Sequence, residues 1–466
     1  MKIYAPNIHL FAFQLYKPAN LEKINPDEQN KLWYGADAIV KTILHIDLNL
    51  SQNIRDVSKY SDSPRVDLLK ESAVKDGDYS LAFENKISVD HQQDVMIKGF
   101  AYPGQLHDSY GLWLNLRRPE KEADGTPSAD LDISFLSNLN PQNCLTLSPN
   151  KLFLGQTLLI TVWLTGAKDK KYLYKIAESC LQAVFADAKQ RPSFHRQGDL
   201  FGSPIFEYGL FSELANYQHV LIWIFVDEQA DENLGLIYSE LLDLFFFRTK
   251  VVKAYQDSRK TYNSLDEQYK NIERQLDDLS NQKSDNFNQK DLNQLTEKLK
   301  YLAELAVKYT RLLRDLEDYQ NTIAINSENY HDRLQQISSK TQQADLSFLE
   351  SFYHKNSALF QKQINFDLGY FKHGTGLLEQ VISSIRGIVE IEQAKRDRSL
   401  EQTIQIFGVA LGGGAIVSGV VTQHIDKPFA PISVKNPPHP MILSLFWSFV
   451  AIAFLYWVAK LWIKRN

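Results

Sequence analysis

The residues best equipped for chemistry form one short cluster, His195-Arg196-Gln197-Gly198-Asp199. An imidazole, a guanidinium and a carboxylate within a few positions are groups that a loop uses to hold a phosphate or another anionic ligand. Such clusters are more often simply solvated, and nothing around this one supplies a reaction. The sequence has no glycine-rich nucleotide loop, no His-Glu-x-x-His and no Gly-x-Ser-x-Gly. Asp132 lies in a strand pattern, facing either a cleft or the wet side of a sheet. Lys168-Asp169-Lys170-Lys171 reads as a solvated helix start. Cys144 and Cys180 are far apart and outside any Cys-x-x-Cys, so neither a disulfide framework nor a structural zinc site is legible. No cofactor or metal set is identified, and an enzyme is the least expected class.

A second group of polar residues lies in the last part of the chain, within and beside two uncharged runs. Thr403 to Val421 and Met441 to Ala459 are each nineteen residues without a charge, close to the roughly 20 that cross a bilayer. They predict transmembrane helices over 403–421 and 441–461, an outside loop over 422–440 and a basic tail over 462–466. Lys395, Arg396 and Arg398 precede the first run, and Lys460, Lys464 and Arg465 end the second. By the positive-inside rule both flanks are cytoplasmic. With no apolar signal at the N-terminus, the expectation is a multi-pass protein of the plasma (inner) membrane with both termini cytoplasmic. The lipid bilayer is then one partner. A net charge of −5 argues against nucleic acid as another.

Within the first run Gly408 and Gly412 are four apart, as are Gly414 and Ser418, and Gly419 follows Ala415 at the same interval. Small residues at that spacing let membrane helices approach closely. If copies of this helix surround a pore, Gln405, Ser418, Thr422, Gln423 and His424 are the polar residues that line it, and Phe407 or Leu411 forms an apolar constriction. Asp397 and Glu401, four apart, either make an acidic ring at the cytoplasmic mouth or pair with Lys395 and Arg398. The second run is rich in large aromatics, including Trp447 and Trp457, which suits an outer, lipid-facing helix.

The elements that must position these residues divide the chain. Residues 1–228 read as a mixed α/β domain. Strands are predicted over Ile8 to Tyr16, Val95 to Tyr102, Tyr110 to Arg117, Leu131 to Phe135, Thr157 to Leu164, Ile205 to Phe211 and His219 to Val226. Leu112, Leu114 and Leu116 alternate with other residues, the pattern of a half-buried strand. The runs beginning at Leu158 and Val220 are apolar on both faces, as central strands are. Lys170 to Ala188 has helical periodicity, and Ser51 to Asp78 reads as loop.

Residues 229–325 predict an antiparallel coiled-coil hairpin. Tyr262, Leu265, Tyr269, Ile272, Leu276 and Leu279 alternate at spacings of three and four, and so do Leu292, Leu295, Leu299, Leu302, Ala306, Tyr309, Leu313 and Leu316. A stalk helix is then expected over 326–402, starting with Ser327 as its cap and running unbroken into the first span. Gly369, Gly374, Gly376 and Gly387 mark close packing or a bend within it.

This order of elements resembles the CorA-type divalent-cation channels. The resemblance covers nearly the whole chain and is most specific from Asp231 to Asn466. It implies an α+β cytoplasmic domain, a long helical hairpin and stalk, and two C-terminal transmembrane helices. It further implies a homo-oligomeric, pentameric channel or transporter for cations, gated by its cytoplasmic domain, with a divalent cation as cargo. The family's Gly-Met-Asn at the outer end of the first span is absent, since this chain has Ser418-Gly419-Val420-Val421 there. The resemblance also accommodates a membrane-tethered sensor or defence effector whose α/β domain binds a ligand or partner.

Overall fold

Apolar side chains on both faces of its central strands make a sheet that needs cover on each side, and the fold supplies it. A computed structural model describes residues 1–16, 25–55, 64–89, 93–164, 169–281 and 289–394. These fall into two units. One comprises Met1–Thr261 with Asp315–Phe366, the other Tyr262–Arg314 with Asp367–Asn466, described as far as Ala394.

The strands of the first unit are β1 (Lys2–Leu15), β2 (Arg65–Asp67), β3 (Leu81–Val89), β4 (Gln93–Leu106), β5 (Ser109–Arg117), β6 (Leu131–Asp132), β7 (Phe153–Trp163), β8 (Phe194–Leu200), β9 (Ser203–Tyr208) and β10 (His219–Phe225). They form one sheet in the order β2-β4-β5-β1-β7-β10-β9-β8, with β3 beside β4 and β6 beside β1. Pairing is antiparallel except between β7 and β10, which run parallel. A parallel pair requires a crossover, and the chain between them contains the second of the helices, α1 (Pro26–Leu44), α2 (Lys170–Val184), α3 (Glu228–Leu236), α4 (Glu240–Asn281) and α5 (Gln289–Lys340).

One face of the sheet packs on α1 and α2. Leu10, Leu114, Ile160 and Ile222 share a core there with Trp33, Val40 and Ile176. Helix α1 is set by its ends: Pro26 opens it, the Asn25 side chain accepts the Asp27 amide at 3.0 Å, and His45 closes it at φ 56°. Helix α2 starts, as expected, at a capping Asp169, which accepts the Tyr172 amide at 2.7 Å.

The other face is covered by the first turns of α4, where Phe245 lies 5.0 Å from Phe11 and Phe246 lies 5.5 Å from Phe13, centroid to centroid. One expectation is overturned here. Strand β5 is buried at every position but Arg117, because Trp113, which alternates with its leucines, packs on Phe11, Phe100 and Tyr238, and Asn115 bonds the Asn7 side chain of β1, so neither meets water. The expected strand over Leu131 to Phe135 is also cut short. Only Leu131 and Asp132 pair with β1, and a 3₁₀ turn follows from Ile133 to Leu139. Asp132 caps that turn through the Ser134 amide and meets the N-terminal amine at 3.0 Å. Those contacts, the Ser134 amide first, hold its carboxyl down to about 2.

Helices α4 and α5 carry the predicted seams, with Leu265, Ile272, Leu302, Tyr309 and Leu316 buried. The helix start expected at Ser327 is not there. Helix α5 runs through it to Lys340, and the Ser327 hydroxyl donates back to the Ile323 carbonyl at 2.6 Å, a bond that a helix interior accommodates. The chain turns only at 341–346, where Gln342 and Gln343 adopt φ of 52° and 62°. It resumes as α6 (Ser347–Ser351), a π-helical turn (Phe352–Ser357) and α7 (Ala358–Ala394).

In the second unit the Tyr309 hydroxyl donates to the Phe371 carbonyl at 2.7 Å, and Tyr269 lies 5.1 Å from Tyr370. Gly374 sits where a side chain would collide with the Tyr309 hydroxyl and the Tyr269 ring. Gly369, Gly376 and Gly387 instead face open space.

Among the described residues no helix is long and apolar enough to cross a membrane. The expected spans at 403–421 and 441–461, the loop between them, the tail, and all the pore, packing and mouth residues from Asp397 to His424 lie outside the described residues.

Candidate functional site

A carboxylate inside an apolar strand must be neutralised where it lies, because burying it alone is prohibitive. Glu207 of β9 is such a residue, flanked by Phe206 and Tyr208 and itself buried. Three neighbouring elements answer it, and a fourth supports one of them, all within the first unit. Arg196 of β8 donates its Nε to Glu207 Oε2 at 2.6 Å. Arg248 of α4 donates to Oε1 at 2.7 Å. His219, first residue of β10, places Nε2 at 3.3 Å from Oε1 and Nδ1 at 2.8 Å from the hydroxyl of Thr157 in β7.

The electrostatics follow from burial and charge together. Burial by itself pushes the Glu207 carboxyl up. Its contact with His219 and the charges of Arg248 and Arg196 outweigh that and hold it well below the usual carboxylate range. Burial, reinforced by Arg248, takes His219 down to about 4. The site therefore contains an ionised carboxylate, two guanidiniums and a neutral imidazole at neutral pH.

Both arginines reach past the sheet to the segment that precedes α7. Arg196 donates to the Phe348 carbonyl at 2.9 Å and lies 4.3 Å above the Phe348 ring. Arg248 lies 4.7 Å from the Phe352 ring and 5.8 Å from that of Phe211. These are cation–π distances in a desolvated setting, where each contact contributes about 1–2 kcal/mol. Phe348 also fills the space left by Gly198, where a Cβ would come within 2.7 Å of its ring.

A second cluster ties the far end of α5 to the start of α4. Asp243 meets Arg333 at 3.0 Å and Arg65 at 3.7 Å. Lys340 pairs with Glu240. Arg65 also donates to the Ser239 carbonyl at 3.1 Å and to the Tyr102 hydroxyl at 3.3 Å. Among the described residues no group of three or more His, Cys, Asp or Glu could hold a metal ion. The arrangement offers no nucleophile. What it does chemically is fix the position of one backbone segment against a sheet.

The cluster that begins at His195 is therefore recast. It is strand β8, not a loop, and its arginine is engaged by Glu207 rather than left for a ligand. His195 is half-buried beside Phe211, at 5.7 Å, and burial lowers its pKa. Sequence reasoning missed Glu207, Arg248 and His219, although the signal was present. Glu207 interrupts Ile205-Phe206-Glu207-Tyr208, and Arg248 interrupts Phe245-Phe246-Phe247-Arg248; a charge inside an apolar run marks a buried partner.

No family profile and no curated protein matches the chain. Among solved structures it is similar to the CorA magnesium transporter from Methanocaldococcus jannaschii, at 13% identity over 67% of this chain and 92% of that one, with a TM-score of 0.19.

Proposed function

We propose that the chain forms a CorA-like homo-oligomeric membrane channel or transporter for cations, gated by its α/β domain. The observation that carries this reading is the exposed apolar face of α7. In the first unit Leu359 and Phe366, seven apart, are 58% and 60% exposed. In the second, Tyr370 and Ile391, three heptads apart, are 50% and 62% exposed. Apolar residues repeating at seven are what a helix buries against copies of itself, and the open Gly369, Gly376 and Gly387 leave room for close approach.

The uncharged run 403–421 follows α7 in the sequence, so a ring of α7 helices is continued by a ring of first spans. Gln405, Ser418, Thr422, Gln423 and His424 then supply the polar lining, Phe407 or Leu411 the constriction, and Asp397 with Glu401 an acidic mouth that concentrates cations. A pentamer is the ring that the CorA-type resemblance implies, with a divalent cation as cargo. With Gly-Met-Asn absent, selection falls to the residues around Thr422 and His424. The Glu207 cluster is the mechanical input, because its arginines hold the root of α7 to the sheet.

The mass of the detergent-solubilised full-length protein tests the assembly. Five copies per particle are expected, and a monomer or a simple dimer removes the channel reading.

A further inference from the structure

The passage from α6 to α7 contains one residue too many for a continuous α-helix. Ser351, Phe352 and Ala358 all have right-handed helical dihedrals, with φ of −57°, −65° and −59°. The chain therefore does not break between α6 and α7 but widens into the π-helical turn Phe352–Ser357. Such turns are rare, and they mark places where a helix carries an inserted residue for a functional reason.

What holds the turn open is the fixing of both its flanks. On the near side the Phe348 carbonyl is held by Arg196, the Leu349 carbonyl accepts the Tyr330 hydroxyl at 3.0 Å, and Phe352 lies under Arg248. On the far side Ser357 bonds Ser327, and Phe360 stacks on Tyr255 at 3.9 Å and meets Phe211 at 5.1 Å. Between them His354 and Lys355 are exposed, and Tyr353 and Asn356 half-exposed. Tyr353 stacks on His331 at 4.6 Å and donates to Glu328 at 2.9 Å, and His354 packs on Tyr353 at 5.0 Å, which leaves the exposed Lys355 as the place for the surplus residue.

We propose that this turn is a register switch at the root of α7, held in its π form by the two arginines that Glu207 aligns. Release of the near flank lets the segment close into α-helix. One residue of slip moves one flank against the other by about 1.5 Å and turns it by roughly 100° about the helix axis. Glu207 acts as a positioning residue: it touches neither Phe348 nor Phe352, but without its carboxylate neither guanidinium is held over its ring. The inference goes beyond the transport reading and does not depend on any ion.

Amide hydrogen exchange on the full-length protein in detergent tests it. In the wild type, amides of residues 352–361 are expected to exchange faster than those of α4. Glu207→Gln, by letting the turn close into α-helix, should lower exchange in that segment by roughly tenfold or more while α1 and α2 keep their protection. Arg196→Gln, at a less buried position, should act in the same direction and serves if Glu207→Gln does not fold. Deleting the exposed Lys355 should remove the surplus residue, protect the segment and make it insensitive to Glu207→Gln. The proposal is overturned if the wild-type turn is as protected as α4, or if both substitutions leave its exchange unchanged or raise it. It is also overturned if the Lys355 deletion prevents folding, since a dispensable residue is its premise.

Discussion

Arg248 and Glu207 meet at 2.7 Å with both side chains buried, one from the helix that covers the sheet and the other from the sheet itself. Removing one member of such a pair leaves an uncompensated buried charge, which costs about 3–5 kcal/mol. Glu207→Gln and Arg248→Met should each lower stability by that order. The double variant should cost clearly less than the two combined, because each substitution removes what made the other harmful. Thermal unfolding of the four proteins checks this, and additive losses would show that the pair is not coupled.

The buried histidines set the response to acid. Trp113 donates its Nε1 to His9 Nδ1 at 3.2 Å, and burial, with the charge of Arg117, takes His9 down to about 3; His219 is taken down to about 4. Both stay neutral in the fold but bind a proton in the unfolded chain below its ordinary value near 6.5. Folded pKa values below the unfolded one mean stability that is fully present above pH 6.5 and is lost as pH falls toward 4. The slope reaches about 1.4 kcal/mol per pH unit for each histidine. The unfolding midpoint, followed from pH 7.5 to 4.5, should hold above pH 6.5 and fall below it, and more gently in His219→Gln. A midpoint flat between pH 7 and 5 would contradict both assignments.

Gly374 tests the packing of the second unit. Valine there meets Tyr309 and Tyr269 without room, an overpacking that costs about 1–3 kcal/mol, more than the gain in helix propensity from losing a glycine. A lowered unfolding midpoint is expected for Gly374→Val. An unchanged or raised midpoint would show that the two tyrosines are not held against α7.

Assembly should depend on the apolar face of α7. Tyr370→Glu and Ile391→Glu place charges where copies are expected to meet, and each should shift the solubilised particle toward smaller species by light scattering. Tyr301→Glu changes another exposed aromatic, one on α5, and should leave the mass unchanged. A particle mass insensitive to both α7 substitutions would place the contact between copies elsewhere.

Much of this organisation is legible in the sequence, and the exceptions have physical causes. The runs at Leu158 and Val220 are central strands because apolar residues on both faces have no other stable place. Strand β8 was unreadable because Phe-His-Arg-Gln-Gly-Asp-Leu lies at the edge of the order, where polar residues meet water. Helix α1 carried a clear signal in Leu32, Trp33, Ala36, Ile39, Val40 and Ile43, behind a polar start that reads as loop. The continuation of α5 past Ser327 was equally visible, since Leu316, Ile323 and Tyr330 keep the seven-residue interval of its seam. The charged cluster was hidden for a different reason. Arg196, Glu207, His219 and Arg248 come from four separate elements, and only the pairing of β8, β9 and β10 beneath α4 brings them together.

The central claim is that this chain conducts cations through a ring of its own first spans. Current recorded from purified full-length protein in planar bilayers, through magnesium, calcium and pH series, tests it most directly. Cation-selective openings that are altered by Glu207→Gln and reduced by substituting Gln405 or Thr422 are predicted. Bilayers that contain correctly assembled protein and stay silent under every condition would contradict it.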